Sequence, residues 1–277
     1  MAGNKQTIDE TKIAKFIGEG RGQGEGAAYK PWLTVRDVPS VGFSSRIMGW
    51  KTGRLHHLFS NHESGYFHIG EWAKKVIDIR EQYPLLPLEN TLAIAESCGI
   101  KHPVNPKTKK PIVLTTDFLL TLEHEGQHVE QARTIKPFAQ LASDRTLEKF
   151  EIERLYWGSL HTDWGIVTER EIPKVLADNV ERIHDLYHRE DLGLTFDDIC
   201  DIAVILTDLV KEGALALRHA TQACDRRLGH KPGASLAVAY HLIARRYWTI
   251  DMYTRINTGE LLILKGENLQ ELYQGGK

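Results

Sequence analysis

Apolar and polar positions follow two different rhythms along the chain, and the change falls near residue 170. Before it, WLTVRDV from Trp32, then RIMGW and RLHHLF, alternate in the two-residue period of a strand, the last two joined as a hairpin through Lys51, Thr52 and Gly53. From Asn61 to Lys75 the apolar residues Tyr66, Phe67, Ile69 and Trp72 fall at helical spacing, and Ser60 is placed to cap that helix. VIDIREQYPL predicts a strand, ENTLAIAESCGI a short helix and HPVNPKTKKP a loop. PIVLTTDFLLTLE and HVEQARTIKP predict two neighbouring strands that turn at Glu125 and Gly126. A helix over Ser143–Leu160, capped by Ser143 or Asp144, and a strand at DWGIVT complete a mixed sheet flanked by helices, an α/β core.

Beyond residue 170 the period becomes helical. A polar helix from Pro173 to His188 leads into three helical stretches, DLGLTFDDICDIAVILTDLVKEG, ALALRHATQACDRRLG and PGASLAVAYHLIARRYW. DMYTRI and ELLILK then alternate around Asn257, Thr258 and Gly259. Three helices followed by a hairpin is the order of a winged helix, and about 80 residues suffice for a separate core. The third helix of helix-turn-helix proteins enters a major groove; here it carries Arg245 and Arg246, and the hairpin carries Arg255. The expected organisation is a Gly-rich N-terminal arm over 1–31, an α/β domain over 32–170, and a linker helix with a winged-helix-like domain over 171–277. The arm contains GEGRGQGEG, in which glycine makes regular structure costly. Its GxGxG spacing follows no strand and precedes no Lys-Ser/Thr pair, so a phosphate-cradling nucleotide loop is not expected.

Composition excludes several classes. With 277 residues, 42% hydrophobic and 26% charged, the chain is neither disordered nor fibrous. No apolar run approaches the roughly 18 residues of a spanning helix, and MAGNKQTIDETKIAKF lacks the apolar core of a signal peptide, so a soluble cytoplasmic protein with no membrane partner is expected. Cys98, Cys200 and Cys224 form no CxxC pair and read as buried free thiols. The net charge of -2 conceals an uneven distribution: 9 basic and 5 acidic side chains over 1–60, 4 and 12 over 161–210, 8 and 3 over 211–257. Affinity for a polyanion is a local property, so this total leaves nucleic acid binding open. Arg21 and Lys30 in the arm, with Arg245, Arg246 and Arg255, are the candidate DNA contacts; solvated faces are the competing reading.

Strand alternation puts Asp117 of TTDFLL on the face opposite Thr116 and Phe118, and lets Thr134 and Lys136 share a face in the partner strand. An acid and a lysine meeting across a sheet suit phosphodiester hydrolysis with Mg²⁺ or Mn²⁺, hard cations that take carboxylate and carbonyl oxygens. Glu63, early in the preceding helix, is a second carboxylate; exposed cross-strand pairs show the same spacing. A competing motif is His124-Glu125-Gly126-Gln127-His128, which satisfies the HExxH signature of zinc hydrolases, with Glu148 as a third ligand. That motif needs a helix, whereas its flanks alternate like strands and Gly126 weakens a helix. His56, His57, His62 and His68 are too irregularly spaced to be named as ligands.

A set of motifs in order, EGRGQGEGAAYKPWLTVRDVPSVG, RLHHLFSNHES, VIDIREQYPLLP, TTDFLL, IKP and RTLEKFEIERLYW, resembles the TnsA family, the endonuclease subunit of heteromeric cut-and-paste transposases in bacteria. The match runs from about residue 17 to 160. The resemblance implies a restriction-endonuclease-like catalytic domain and a C-terminal domain of winged-helix type that contacts DNA and a TnsC ATPase. It implies a metal-dependent endonuclease that cuts the 5′ ends of a transposon and leaves the other strand to a TnsB transposase. Carried over by motif, Glu63 in SNHE, Asp117 in TTDF and Lys136 in TIKP are catalytic, and Glu63, Asp117 and the Ile135 carbonyl are metal ligands. A typical restriction-like fold has a carboxylate two residues before the lysine, where this chain has Thr134, as TnsA proteins also tend to lack the acid. Glu153 in EIERLYW falls where the family has another active-site acid; with Glu148 and Glu151 nearby, a solvated helix face is the alternative. A non-catalytic DNA-binding adaptor of a transposition complex is the alternative function.

Overall fold

The computed structural model describes residues 8–37 and 43–274, with the side chains of residues 8–10 undescribed. Val38, the end of the predicted WLTVRDV strand, and residues 1–7 of the predicted arm lie outside the described residues. The chain divides after Ile172 into two compact units.

In the first unit, α1 (Ile8–Gly18) precedes a hairpin of β1 (Ser45–Met48) and β2 (Leu55–Leu58). Then follow α2 (Asn61–Trp72), β3 (Val76–Pro84), α3 (Leu88–Ser97), β4 (Thr115–His124), β5 (Gln127–Ile135), α4 (Asp144–Ser159) and β6 (Asp163–Val167). The strands form a sheet in the order β3-β4-β5-β6, antiparallel except for β5 and β6. A parallel neighbour requires a crossover, which α4 supplies. One sheet face packs Ile79, Phe118, Leu120, Ile135 and Val167 against Leu58 and Phe67; the other packs Leu119 and Ala132 against Leu85, Ala95, Ile152, Tyr156 and Trp157. Each such large apolar side chain contributes about 1.5–3 kcal/mol on burial.

The first unit departs from expectation in its N-terminal part. The described part of WLTVRDV, residues 32–37, is turn and loop. Asp37 bends the segment by accepting from the backbone N–H and the hydroxyl of Thr34. The Gly-rich segment is a loop but no free arm. Gly22 N–H donates to Lys30 O and Lys30 N–H to Gln23 O, so the loop closes on itself. Arg21 stacks over Phe16 with 3.7 Å to the ring centroid and pairs with Asp37 at 2.7 Å.

The second unit contains α5 (Lys174–His184), α6 (Phe196–Lys211), α7 (Leu217–Leu228) and α8 (Ala234–Ala244). A two-residue ladder of β7 (Trp248–Thr249) and β8 (Gly266–Glu267) and a short α9 (Leu269–Gln274) follow. The predicted hairpin of DMYTRI and ELLILK does not form. The Asn179 amide takes the backbone instead: its Nδ2 donates to Met252 O and Thr254 O, and its Oδ1 accepts from Ile256 N–H. Thr258 O and Glu260 O accept from Arg218 and Leu217 N–H at the start of α7. Groups spent in this way cannot pair across a ladder. Arg255 therefore sits in a loop. The groove-reading third helix is also corrected: α8 is buried continuously from Val238 to Ala244, and Arg245 and Arg246 lie beyond its C-terminus. A helix apolar all round belongs in a core.

Candidate active site

The start of α2 and one end of the sheet bring the predicted acids together. Ser60 caps α2 by accepting from Glu63 N–H at 3.1 Å, and its hydroxyl donates back to Glu63 Oε1 at 2.9 Å. Phe59 N–H donates to Glu63 Oε2 at 2.9 Å. The residue that starts the helix is thus held by it, a reciprocal arrangement related to the capping box. Burial, and after it the charge of Asp117, push the Glu63 carboxyl up to about 8, against the pull of Phe59, Ser60 and Lys136.

Asp117 does not sit as simple alternation requires. Thr116 faces α4, where its hydroxyl donates to Glu153 and accepts from Trp157 Nε1, whereas Phe118 lies in the opposite core with Phe67. The two neighbours of Asp117 therefore point to opposite faces. The cause is in β3: Glu81 pairs with Phe118 and Tyr83 with Thr116, while Gln82 between them has φ 49, a left-handed backbone inside a strand. This twist leaves Asp117 between the faces. Its Oδ2 accepts from Ile135 N–H at 2.7 Å and its Oδ1 from Gln82 Nε2 at 3.3 Å. Gln82 is itself fixed, its Oε1 accepting from Thr115 Oγ1 at 3.1 Å and its backbone O from Trp32 N–H. Burial raises the Asp117 carboxyl to about 6, opposed by Ile135 N–H, Lys136 and Gln82.

Lys136 follows β5 directly, its N–H bonded to Val167 O at 2.9 Å, and its charge reaches both Glu63 and Asp117. Thr134, in the place of a missing acid, donates to Glu153 Oε2 at 2.6 Å. Thr116 donates to the same oxygen at 3.2 Å, and Trp164 Nε1 reaches it at 3.4 Å. Glu153 is only 5% exposed, so the solvated-face reading fails. Burial raises its carboxyl to about 8, with Asp117 adding to the rise and the Thr134, Thr116 and Trp164 hydrogen bonds resisting it. The structure thus supplies an acid near Asp117 from a helix behind the sheet, where the strand itself provides only threonine.

Another buried acid lies one residue from Gln82. Glu81 pairs with Arg54, accepts from His57 N–H, and lies 2.8 Å from His56 Nδ1. Burial would raise its carboxyl, but His56 and Arg54 outweigh burial and bring it down to about 2.

The other predicted positions scatter. His124 pairs with Gln127 and Glu123 with His128 across a two-residue turn, so His124 and His128 point to opposite faces and cannot share a zinc ion. Glu125 and Gly126 take the positive φ values, 51 and 77, that such turns need. Arg21 spends its guanidinium on Asp37, Glu19 and Trp32 O, and Lys30 Nζ donates to Glu19 O. Arg245 is exposed and lies over Tyr187 and Tyr247, while Arg246 is half-buried. Sequence reasoning missed Gln82, Trp157 and Trp164. No spacing rule marks a left-handed glutamine, and the tryptophans read as ordinary core.

Among the described residues no group of three or more His, Cys, Asp or Glu side chains is arranged to hold a metal ion. The pair Glu63 and Asp117 still fits a hard divalent cation: both are oxygen donors, Glu63 is buried and Asp117 half-buried, and their carboxyls are raised despite Lys136. Two acids and a lysine converging at one end of a mixed sheet suit phosphodiester hydrolysis. A family profile described as TnsA-like endonuclease N terminal matches residues 73–169, and one described as TnsA endonuclease C terminal matches residues 171–252. The transposon Tn7 transposition protein TnsA of Escherichia coli is 38% identical over 276 residues, which cover 98% of either chain. The chain belongs to the TnsA endonuclease family. No helix among the described residues is long and apolar enough to cross a membrane.

Proposed function

We propose that this chain is the metal-dependent DNA endonuclease of a cut-and-paste transposition system, hydrolysing one phosphodiester at each 5′ end of the element. The observation that carries the reading is the meeting of buried Glu63 and half-buried Asp117 beside Lys136, with Asp117 turned off both sheet faces by Gln82. A restriction-endonuclease-like classification of the first unit agrees with its mixed sheet and with the acids at one sheet end. Glu63, Asp117 and the Ile135 carbonyl would hold Mg²⁺ or Mn²⁺, which when bound supplies Lewis-acid activation of water. Lys136 orients the attacking water or offsets charge growing on the phosphoryl oxygens. Glu153, through Thr134, steadies the end of β5 that presents Lys136. In-line attack leaves a 3′ hydroxyl and a 5′ phosphate.

Transposon-end DNA, a TnsB transposase that cuts the other strand, and a TnsC ATPase are the partners in this reading. The exposed Arg245 and Arg255 are its DNA contacts in the second unit, whose winged-helix character rests on three helices and the short β7-β8 ladder. The test is cleavage of strand-labelled transposon ends in the assembled complex. Asp117→Ala abolishes the 5′-strand breaks, leaves the partner's breaks in place and preserves the circular dichroism spectrum. Undiminished 5′ cleavage by this variant would overturn the assignment.

A further inference from the structure

Between Glu96 and Asp117 the chain carries no acid, yet it carries Lys101, Lys107, Lys109 and Lys110. All four are exposed, and none has an ion-pair partner among the described residues. Four exposed lysines with no acid between them in the chain mark one surface as distinctly positive.

The segment that presents them is built. Val104 and Pro111 form an isolated antiparallel bridge. Inside it, Asn105 Oδ1 accepts from Lys107 N–H at 2.9 Å and Thr108 N–H at 3.2 Å, Asn105 O accepts from Lys109 N–H, and Lys110 O accepts from Asn105 N–H. Lys109 takes a left-handed backbone, φ 60, to close this turn. Three lysine side chains thus leave a small, hydrogen-bonded platform, which lowers the ordering entropy that a charged contact must overcome.

The platform stands at the active-site end of the sheet. Its stem runs through Val113, packed against Phe16 and Trp32, and Leu114, whose carbonyl holds Leu85 N–H, directly into β4 two residues before Asp117. β3 ends at this same edge with Pro84, and β5 with Ile135. From Lys110 to Asp117 is seven residues, at most about 25 Å of extended chain. Duplex DNA whose cleaved phosphate lies at Asp117 therefore has phosphates within reach of the lysines. Lys12 of α1 flanks the platform beside Ile112, and Lys149 of α4 lies in a depression with Lys101.

We infer that this lysine platform is a phosphate-backbone clamp that grips duplex DNA beside the point of cleavage. The inference rests on the endonuclease reading for the identity of the polyanion, but it concerns binding and not chemistry. Its contacts carry no base information, so it sets hold and register along the duplex and leaves sequence choice to other contacts.

The test measures affinity of the full chain for a duplex spanning a transposon end, at several salt concentrations, in the non-cleaving Asp117→Ala background. The variant is Lys107→Gln/Lys109→Asn/Lys110→Gln, with asparagine at 109 because it tolerates the left-handed backbone. If all three lysines meet phosphates, the slope of log affinity against log salt flattens by about 2.7, at about 0.9 per contact, equally for transposon-end and unrelated duplexes. The Lys107→Arg/Lys110→Arg variant keeps the wild-type slope. An unchanged slope in the triple variant, or no measurable duplex binding by the parent, overturns the clamp. So does loss of 5′ cleavage in the assembled complex when the triple variant is made with Asp117 intact, the DNA slope being unchanged, since that outcome assigns the lysines to an acidic protein surface. Failure of the nuclease reading shows separately, as 5′ cleavage that survives Asp117→Ala.

Discussion

Two carboxylate clusters, centred on Glu81 of β3 and Asp117 of β4, are treated in opposite ways. Glu81 on β3 is surrounded by Arg54, His56 and the His57 N–H, and its carboxyl falls to about 2. Asp117, paired next to that strand on β4, shares a single lysine with Glu63, and the two carboxyls rise to about 6 and about 8. Burial acts on both clusters; neutralisation differs. A buried charge that only has to hold the fold together is surrounded by donors, because an unpaired one is expensive. In the endonuclease reading, a charge that has to meet an external cation or phosphate is left under-compensated. Gln82 marks the boundary between the two treatments, next in sequence to Glu81 and hydrogen-bonded to Asp117.

Breaking the satisfied cluster gives the largest effect on the fold. Glu81→Ala leaves Arg54 and His56 buried without their carboxylate and destabilises the chain by about 3–5 kcal/mol in denaturant unfolding. The equivalent change at Asp117 removes a strained charge and costs the fold little, so Asp117→Ala unfolds near the wild-type midpoint. Equal destabilisation of the two variants would erase the distinction.

Titration separates the clusters by sign. Glu63, Asp117 and Glu153 have native carboxyls above their unfolded values, so the native chain holds protons that the unfolded chain has released. Their stabilising contribution is complete below about pH 4 and is lost as pH rises, through about 6 for Asp117 and about 8 for Glu63 and Glu153. In EDTA the melting temperature therefore declines across that window, and Mg²⁺ raises it more at pH 8 than at pH 6. Glu81 has the opposite sign: its contribution is present above about pH 4.5 and is lost as pH falls toward about 2. Scanning calorimetry of wild type and Glu63→Gln reads both limbs, with a shallower alkaline limb expected in the variant.

The smallest change lies between the clusters. Gln82→Leu removes the amide from Asp117 Oδ1 and should raise the Mg²⁺ concentration for half-maximal 5′ cleavage by about 10- to 100-fold, the usual cost of losing an outer partner of a metal ligand. Gln82→Asn accepts the left-handed backbone and stays closer to wild type. A Mg²⁺ requirement unmoved by Gln82→Leu would reduce Gln82 to a packing residue.

Much of the first unit was legible because its signals are local. Ser60 and Glu63 mark the start of α2 by a reciprocal side-chain bond, and Glu125-Gly126 marks the β4-β5 turn by the positive φ it requires. The acids and the lysine were legible through family motifs. Gln82 was not, because its backbone is set by the strands around it and by Trp32 from another segment. The missing hairpin of the second unit has a similar cause. DMYTRI does bury Met252 and Ile256 on one side, as its alternation suggests, but its backbone groups go to Asn179, more than seventy residues earlier, and not to ELLILK. Side-chain alternation reports which way residues face and is silent on which backbone they pair with. The buried character of α8 could have been read, since ASLAVAYHLIA has no polar face wide enough for a groove.

Cys98 caps the end of α3 three residues before Lys101 and, against the expectation of buried thiols, it is exposed. Cys224 is buried, and burial together with Asp197 and Asp201 raises the Cys200 thiol. Alkylation proceeds through the thiolate, so a maleimide dye at neutral pH reacts first at Cys98. The chain thus carries its own attachment point for a fluorophore at the foot of the lysine platform, and energy transfer to a labelled duplex would report arrival of DNA at the cutting edge in real time, with no engineered cysteine.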